Sequence, residues 1–170
     1  MLKESDLLQQ LKKKGLDFKI HEHEPLFTVE DSENKRGIIE GAHTKNLFLK
    51  NKKNNFYLLS CDEGSVINLK EFSKSINAKN LSFANEIYLN KYLGITPGSV
   101  SPYALLNDKE NMVSFYLDEK LANSDIINFH PLINTVTVTI KTKEFINFIL
   151  ENNKKINIFS LDSYSIVKTL

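Results

Sequence analysis

Two apolar runs, Ile38 to Lys50 and Phe56 to Cys61, are separated only by Asn51-Lys52-Lys53-Asn54-Asn55, and asparagine tolerates the backbone conformations that a tight turn demands. The runs are predicted to pair as an antiparallel hairpin. A lone hairpin is marginal in water, so this pair requires further strands and a helical layer over its apolar face.

Upstream, Ser5 is placed to cap a helix carrying Leu7, Leu8 and Leu11 on one side, with Gly15 as its left-handed stop. Phe18 to Glu24 alternates like a strand that Pro25 ends, and Thr28 with Asp31 has capping-box spacing for a helix to about Arg36, closed by Gly37. Downstream, Leu69, Phe72 and Ile76 fall at helical spacing, and Asn85 to Leu93 reads as an amphipathic helix stopped by Gly94. Thr96-Pro-Gly-Ser-Val-Ser-Pro102 reads as a rigid loop. Met112 to Leu117 and Thr135 to Ile140 read as strands, Phe145, Phe148 and Ile149 mark a helix, and Ile156 to Phe159 reads as a last short strand. Strands and helices intermix without strict alternation, which predicts one α+β domain over residues 1–170 with a mixed sheet.

Composition excludes several classes. A 41% hydrophobic content with eleven Phe supports one ordinary core, and no apolar run approaches the roughly 20 residues of a membrane span. The charged opening Met-Leu-Lys-Glu-Ser-Asp is unlike a signal peptide, so a cytoplasmic protein is expected. The lone Cys61 offers neither a disulfide nor a CxxC pattern. With 22 Lys+Arg against 21 Asp+Glu the net charge is +1, so any contact with nucleic acid must be local, at spots such as Lys12 to Lys14, Lys50 with Lys52 and Lys53, or Lys154 with Lys155.

The chain has no GxSxG elbow, phosphate-binding glycine loop, HExxH or calcium loop. His21 and His23 share a strand face, but two imidazoles without a third ligand make no zinc site, and neither metal nor cofactor is expected. A hydrolase built from these residues would orient water on an already reactive bond. Lys45 falls on one strand face with Leu47 and Leu49, which leaves its ammonium either at a rim in water or in a pocket facing an anion; Asn46 faces the other way with Phe48. Gly98, between Pro97 and Pro102, lets backbone approach a ligand, and His130 in Asn128-Phe-His-Pro131 could donate or accept a hydrogen bond.

Six segments occur in an order that resembles the bacterial prolyl-tRNA editing (YbaK-like) family: His23 to Glu30, Gly41-Ala-His-Thr-Lys-Asn-Leu-Phe-Leu49, Val66 to Lys70, Leu81 to Ala84, Leu93 to Pro102 and Phe129 to Thr135. The His-Thr-Lys-Asn and Phe-His-Pro elements resemble the freestanding alanine-type branch. The resemblance implies a curved, barrel-like mixed sheet surrounded by helices. It also implies trans-editing hydrolysis of the ester in mischarged Ala-tRNA(Pro), with a Cys-tRNA(Pro) deacylase or a non-catalytic tRNA-end-binding module as alternatives. By position it assigns Lys45 and Gly98 to catalysis, and Thr44, Asn46, Pro97, Ser99, Pro102, Phe129 and His130 to substrate binding. The implied partners are the 3′ end of aminoacylated tRNA(Pro) and, transiently, prolyl-tRNA synthetase.

Overall fold

The hairpin forms the centre of the molecule. A computed structural model covering residues 1–170 pairs β2 (Thr44–Lys50) with β3 (Phe56–Asp62) antiparallel, Lys45 opposite Cys61 and Leu49 opposite Tyr57. The turn works as its composition requires: Asn54 takes φ 57°, and the Asn51 side chain accepts from the Lys53 and Asn55 N–H groups. Short β4 (Ser82–Phe83) edges β2, while β5 (Val113–Asp118) joins β3 in parallel. Next, β8 (Ile156–Ser160) runs parallel to β5 and β9 (Ser165–Thr169) closes the sheet antiparallel to β8. The result is a mixed six-stranded sheet in the order β4-β2-β3-β5-β8-β9.

A second, antiparallel sheet is built from β1 (Phe18–Glu22), β7 (Val136–Lys141) and β6 (Ile126–Phe129) in the order β1-β7-β6. The sheets meet at Ala42 and Ile127, where Asn128 acts as a clasp. Its N–H donates to the Ala42 carbonyl, its side-chain amide to the Glu40 and Ala42 carbonyls, and its side-chain oxygen accepts from Thr139 Oγ1. Burying an amide is tolerable only when it is satisfied in this way. Between the sheets lies a core of 26 buried residues, to which α1 (Glu4–Lys13) adds Leu7 and Leu11, and α6 (Thr142–Glu151) adds Phe145, Phe148 and Ile149. On the outer face of the large sheet, α3 (Leu69–Ser75) packs Phe72 edge-on against Tyr116 and Phe159. No helix is long and apolar enough to cross a membrane.

Several expectations are corrected. Lys3, not Ser5, occupies the cap of α1, because the Asp6 carboxylate reaches back to the Lys3 N–H and starts the helix two residues earlier. The strand expected from Ile38 begins only at Thr44: Ile38 is fully exposed, and Gly41, at φ 96°, lies against Ile126 where a Cβ would sit 2.6 Å from that side chain. The first strand stops at Glu22, after which the His23 and Leu26 N–H groups bond the Thr135 and Asn134 carbonyls. Asn85 to Leu93 is not one regular helix but α4 (Glu86–Tyr88) followed by a π-helical turn, Leu89–Leu93, stopped by Gly94 at φ 64°. Ile156 to Phe159 is not the last strand, since β9 follows it. A short helix α5 (Glu119–Ala122), β4 and β6 have no counterpart in the expectations. Between β1 and β2, α2 (Val29–Lys35) forms as expected, with Thr28 Oγ1 accepting from the Asp31 N–H, but the Asp31 carboxylate bonds the Phe27 N–H instead of completing the box at Thr28.

Candidate active site

Three distant segments converge where β2 begins. Because β4 pairs only with Leu49 and Lys50, the stretch Thr44 to Leu47 leaves one edge of β2 unpaired by β4, and all four residues line a cavity of about 380 Å³. Asn46 is therefore not turned away from the cavity as its strand parity suggested; its Oδ1 accepts from Ser60 Oγ across the pair. Leu26, Phe27, Thr28, Val29 and Ser32 from α2 and its lead-in form a second wall, Gly98 and Val100 a third, and His130 with Glu63 complete it. A larger hollow of about 490 Å³ between α1 and Asn107 gathers amides, one lysine and one carboxylate, with no convergent chemistry.

Lys45 is the unusual group on this wall. Its Nζ donates to the Ser65 backbone carbonyl and pairs with no carboxylate. The Ser65 carbonyl is held by a braced turn: Glu63 N donates to the His43 carbonyl, Ser65 N to the Asp62 carbonyl, Gly64 N to the Asp62 carboxylate, and Asp62 N to the Asp118 carboxylate. The same turn presents Glu63, whose carboxylate takes a two-pronged bond from Arg36 at 2.6 and 2.8 Å. That fork matches carboxylate geometry and leaves Glu63 neutralised, so the Lys45 ammonium is the free charge of the wall. Cys61, opposite Lys45 on β3, is fully buried, and burial pushes its thiol up to about 12, which removes it as a nucleophile.

Gly98 sits at the third position of a turn in which Ser99 N donates to the Thr96 carbonyl, with Pro97 second, the pattern of a type II turn. Its φ of 85° and the 2.9 Å separation between a would-be Cβ and Phe27 Cδ1 both demand glycine. Neither the Gly98 nor the Val100 N–H has a protein acceptor. Gly98→Ala is expected to cost about 1–2 kcal/mol in urea denaturation, from left-handed backbone strain alone; an unchanged midpoint would show that the turn relaxes.

His130 donates from Nδ1 to the Val136 carbonyl, which leaves Nε2 of the neutral ring as an acceptor. Burial, and then the neighbouring His23, hold its pKa below the usual 6.5, against the opposing pull of the Val136 carbonyl. His23 itself is fixed between the Glu24 carbonyl and Thr137 Oγ1, with the two rings 5.8 Å apart. Because the folded value is depressed, the contribution of His130 to stability is complete above pH 6.5 and is lost as pH falls through the lowered value. Denaturation at pH 7.5 and pH 5 should show the wild type losing more stability on acidification than His130→Gln does.

Other expected residues stand elsewhere. Phe129, the last residue of β6 and the one before His130, points into the core at 2% exposure against Tyr103 and Phe145, so it supports the wall from behind. Ser99 is buried, Pro97 is exposed, and Pro102 is buried at the start of a 3₁₀ helix, Pro102–Asn107; none of the three lines the cavity. Ser32, Arg36 and Glu63 were missed. Arg36 is the sole arginine in a lysine-rich chain, and that singularity was the available signal.

The sequence profile of the aminoacyl-tRNA editing domain matches residues 23–148. The prolyl-tRNA editing protein ProX of Acetoanaerobium sticklandii is 32% identical over 149 residues, covering 86% of this chain and 90% of that protein. Prolyl-tRNA synthetase associated domain-containing protein 1 of Danio rerio is 33% identical over 159 residues, covering 92% and 86%. The crystal structure of a proposed trans-editing enzyme for prolyl-tRNA synthetase has the same fold, with a TM-score of 0.66 at 15% identity over 93% of this chain and 97% of that one. A cavity with one uncompensated ammonium, unclaimed backbone donors and no reactive thiol thus belongs to a chain of known kin: it is a member of the aminoacyl-tRNA editing domain family, and an aminoacyl-tRNA deacylase.

Proposed function

We propose that the substrate is Ala-tRNA(Pro), and that the protein clears it in trans. The observation that carries this reading is the Lys45 ammonium, free of any carboxylate, in one cavity with the Gly98 turn. Hydrolysis places the oxygen of a water on the ester carbonyl carbon; the bond to the ribose oxygen breaks, that oxygen takes a proton, and alanine and tRNA leave. Lys45 anchors the phosphate and ribose of the terminal adenosine, a charge-assisted contact that a partnered lysine could not make. The unclaimed Gly98 and Val100 N–H groups position the water or the ribose hydroxyl and stabilise charge on the carbonyl oxygen. The free ribose hydroxyl of the substrate assists attack, which suits a site whose one nearby thiol is held protonated. Thr44 and Asn46 hold the base of the cavity, and Pro97, Ser99 and Pro102 keep the turn rigid.

Selectivity on this reading is steric. Leu26, Val29, Leu47 and Val100 are apolar residues of the cavity lining, and on this reading they form, with His130, the wall that admits a methyl side chain and turns away a prolyl ring. The contact with tRNA is chiefly at its 3′ end, and a transient encounter with prolyl-tRNA synthetase would deliver the substrate. A panel of Ala-, Cys- and Pro-charged tRNA(Pro) tests the assignment. The alanyl ester should be cleaved fastest; preference for the cysteinyl ester would move the protein to the other editing specificity, and binding of all three without cleavage would make it a sensor.

A further inference from the structure

We propose that the far end of β2 is the docking surface for the tRNA body, recognising the phosphate backbone of the stem next to the 3′ end. The proposal rests on the reading that the substrate is a charged tRNA. Lys50 ends β2, and Lys52 and Lys53 stand exposed in the turn that follows. The Lys50 ammonium lies 5.5 Å from the centre of the Tyr88 ring, and the Lys91 ammonium 5.0 Å from that of Tyr92. The two tyrosines stack on each other at 6.3 Å, and Tyr88 rests on Phe56, so both ammonium groups are held over one aromatic shelf.

Three further observations set this surface apart. None of its four lysines pairs with a carboxylate; the same holds for lysines elsewhere, such as Lys12, Lys70 and Lys168, but here two of the unpaired ammonium groups stand over stacked aromatic rings. Four uncompensated charges in a chain of net charge +1 make a local field of one sign. Glu86 is the one carboxylate between Ala84 and Leu93. Phe83 and Ile87, on the flanking β4 and α4, are 61% and 73% exposed, an apolar fringe of the kind that accompanies a contact surface. Lys50 is five residues along the strand from Lys45, about 17 Å at ordinary strand rise, and by side-chain alternation it stands on the opposite face, so a few unpaired nucleotides would cross the edge of β2 that β4 leaves open from Thr44 to Leu47. With the terminal adenosine at Lys45, the paired stem then falls beside these lysines.

The test uses the full chain carrying Lys50→Gln, Lys52→Gln, Lys53→Gln and Lys91→Gln, with the Lys52/Lys53 double variant as a form whose two changes are confined to an exposed turn. Uncharged tRNA(Pro) binding is measured against salt, and deacylation is followed on Ala-tRNA(Pro) and on a short alanylated CCA oligonucleotide. The quadruple variant should bind tRNA at least about tenfold more weakly near 0.15 M salt, with a log–log salt slope shallower by about 3. Its KM on tRNA should rise equally, with kcat and all activity on the oligonucleotide unchanged, and the double variant should show about half the change in slope. Unaltered tRNA binding and slope would overturn the docking surface, and so would an equal loss on both substrates, which would put the fault in the cavity. If the wild type cleaves neither ester while the salt slope still drops, docking stands and the deacylase reading fails.

Discussion

Lys45→Ala should lower kcat/KM on Ala-tRNA(Pro) by on the order of 100-fold or more, the size of effect seen when one preorganised donor to a developing charge is removed. The fold should survive. Lys45 is only half-buried, its one protein bond is to a backbone carbonyl, and the Asp62–Ser65 turn keeps its own internal bonds without it. Lys45→Arg should retain part of the activity, since the charge persists while the fork cannot match a site shaped for a single ammonium. Full activity in a folded Lys45→Ala protein would remove the residue from the chemistry.

Arg36→Ala should be the most damaging change to stability outside the core. The Arg36 and Glu63 side chains are 12% and 15% exposed, and removing one partner strands the other charge, at a cost of about 3–5 kcal/mol. For a chain of this size that is a fall in Tm of about 6–20 °C. Because α2 buries no side chain of its own, the bonds of Arg36 and Ser32 to Glu63 are its main side-chain tie to the turn that follows β3, and hydrogen exchange in α2 should quicken in the variant. The paired change Arg36→Met with Glu63→Met should recover most of the loss, since no charge is then left unpartnered. A double variant as unstable as the single one would refute this explanation.

The parts of the fold legible in the sequence are those with a strong local period. The β2–β3 hairpin, the β7 alternation of Val and Thr and the Phe145, Phe148, Ile149 spacing of α6 each announce themselves within a few residues. β6 does not. Its four residues carry Asn128 in the middle, a polar position that looks like a loop until Glu40, Ala42 and Thr139 are brought around it. β9 is missed for the opposite reason, since all five of its residues are exposed and no burial pattern marks it. The site follows the same division. Lys45, Gly98 and His130 were singled out by residue type and by resemblance, but that they share a cavity depends on the crossing of β2, the Gly98 turn and the end of β6. The Ser32-Arg36-Glu63 cluster reads locally as a solvated helix end and a turn; its burial is a property of the assembled walls.

The measurement that bears most directly on the assignment is the initial rate of hydrolysis of Ala-tRNA(Pro) beside that of Pro-tRNA(Pro) by the unmodified protein. Enzyme-dependent loss of the alanyl ester with the prolyl ester left intact is the expected result; cleavage of the prolyl ester as fast as the alanyl one, or cleavage of neither, contradicts it.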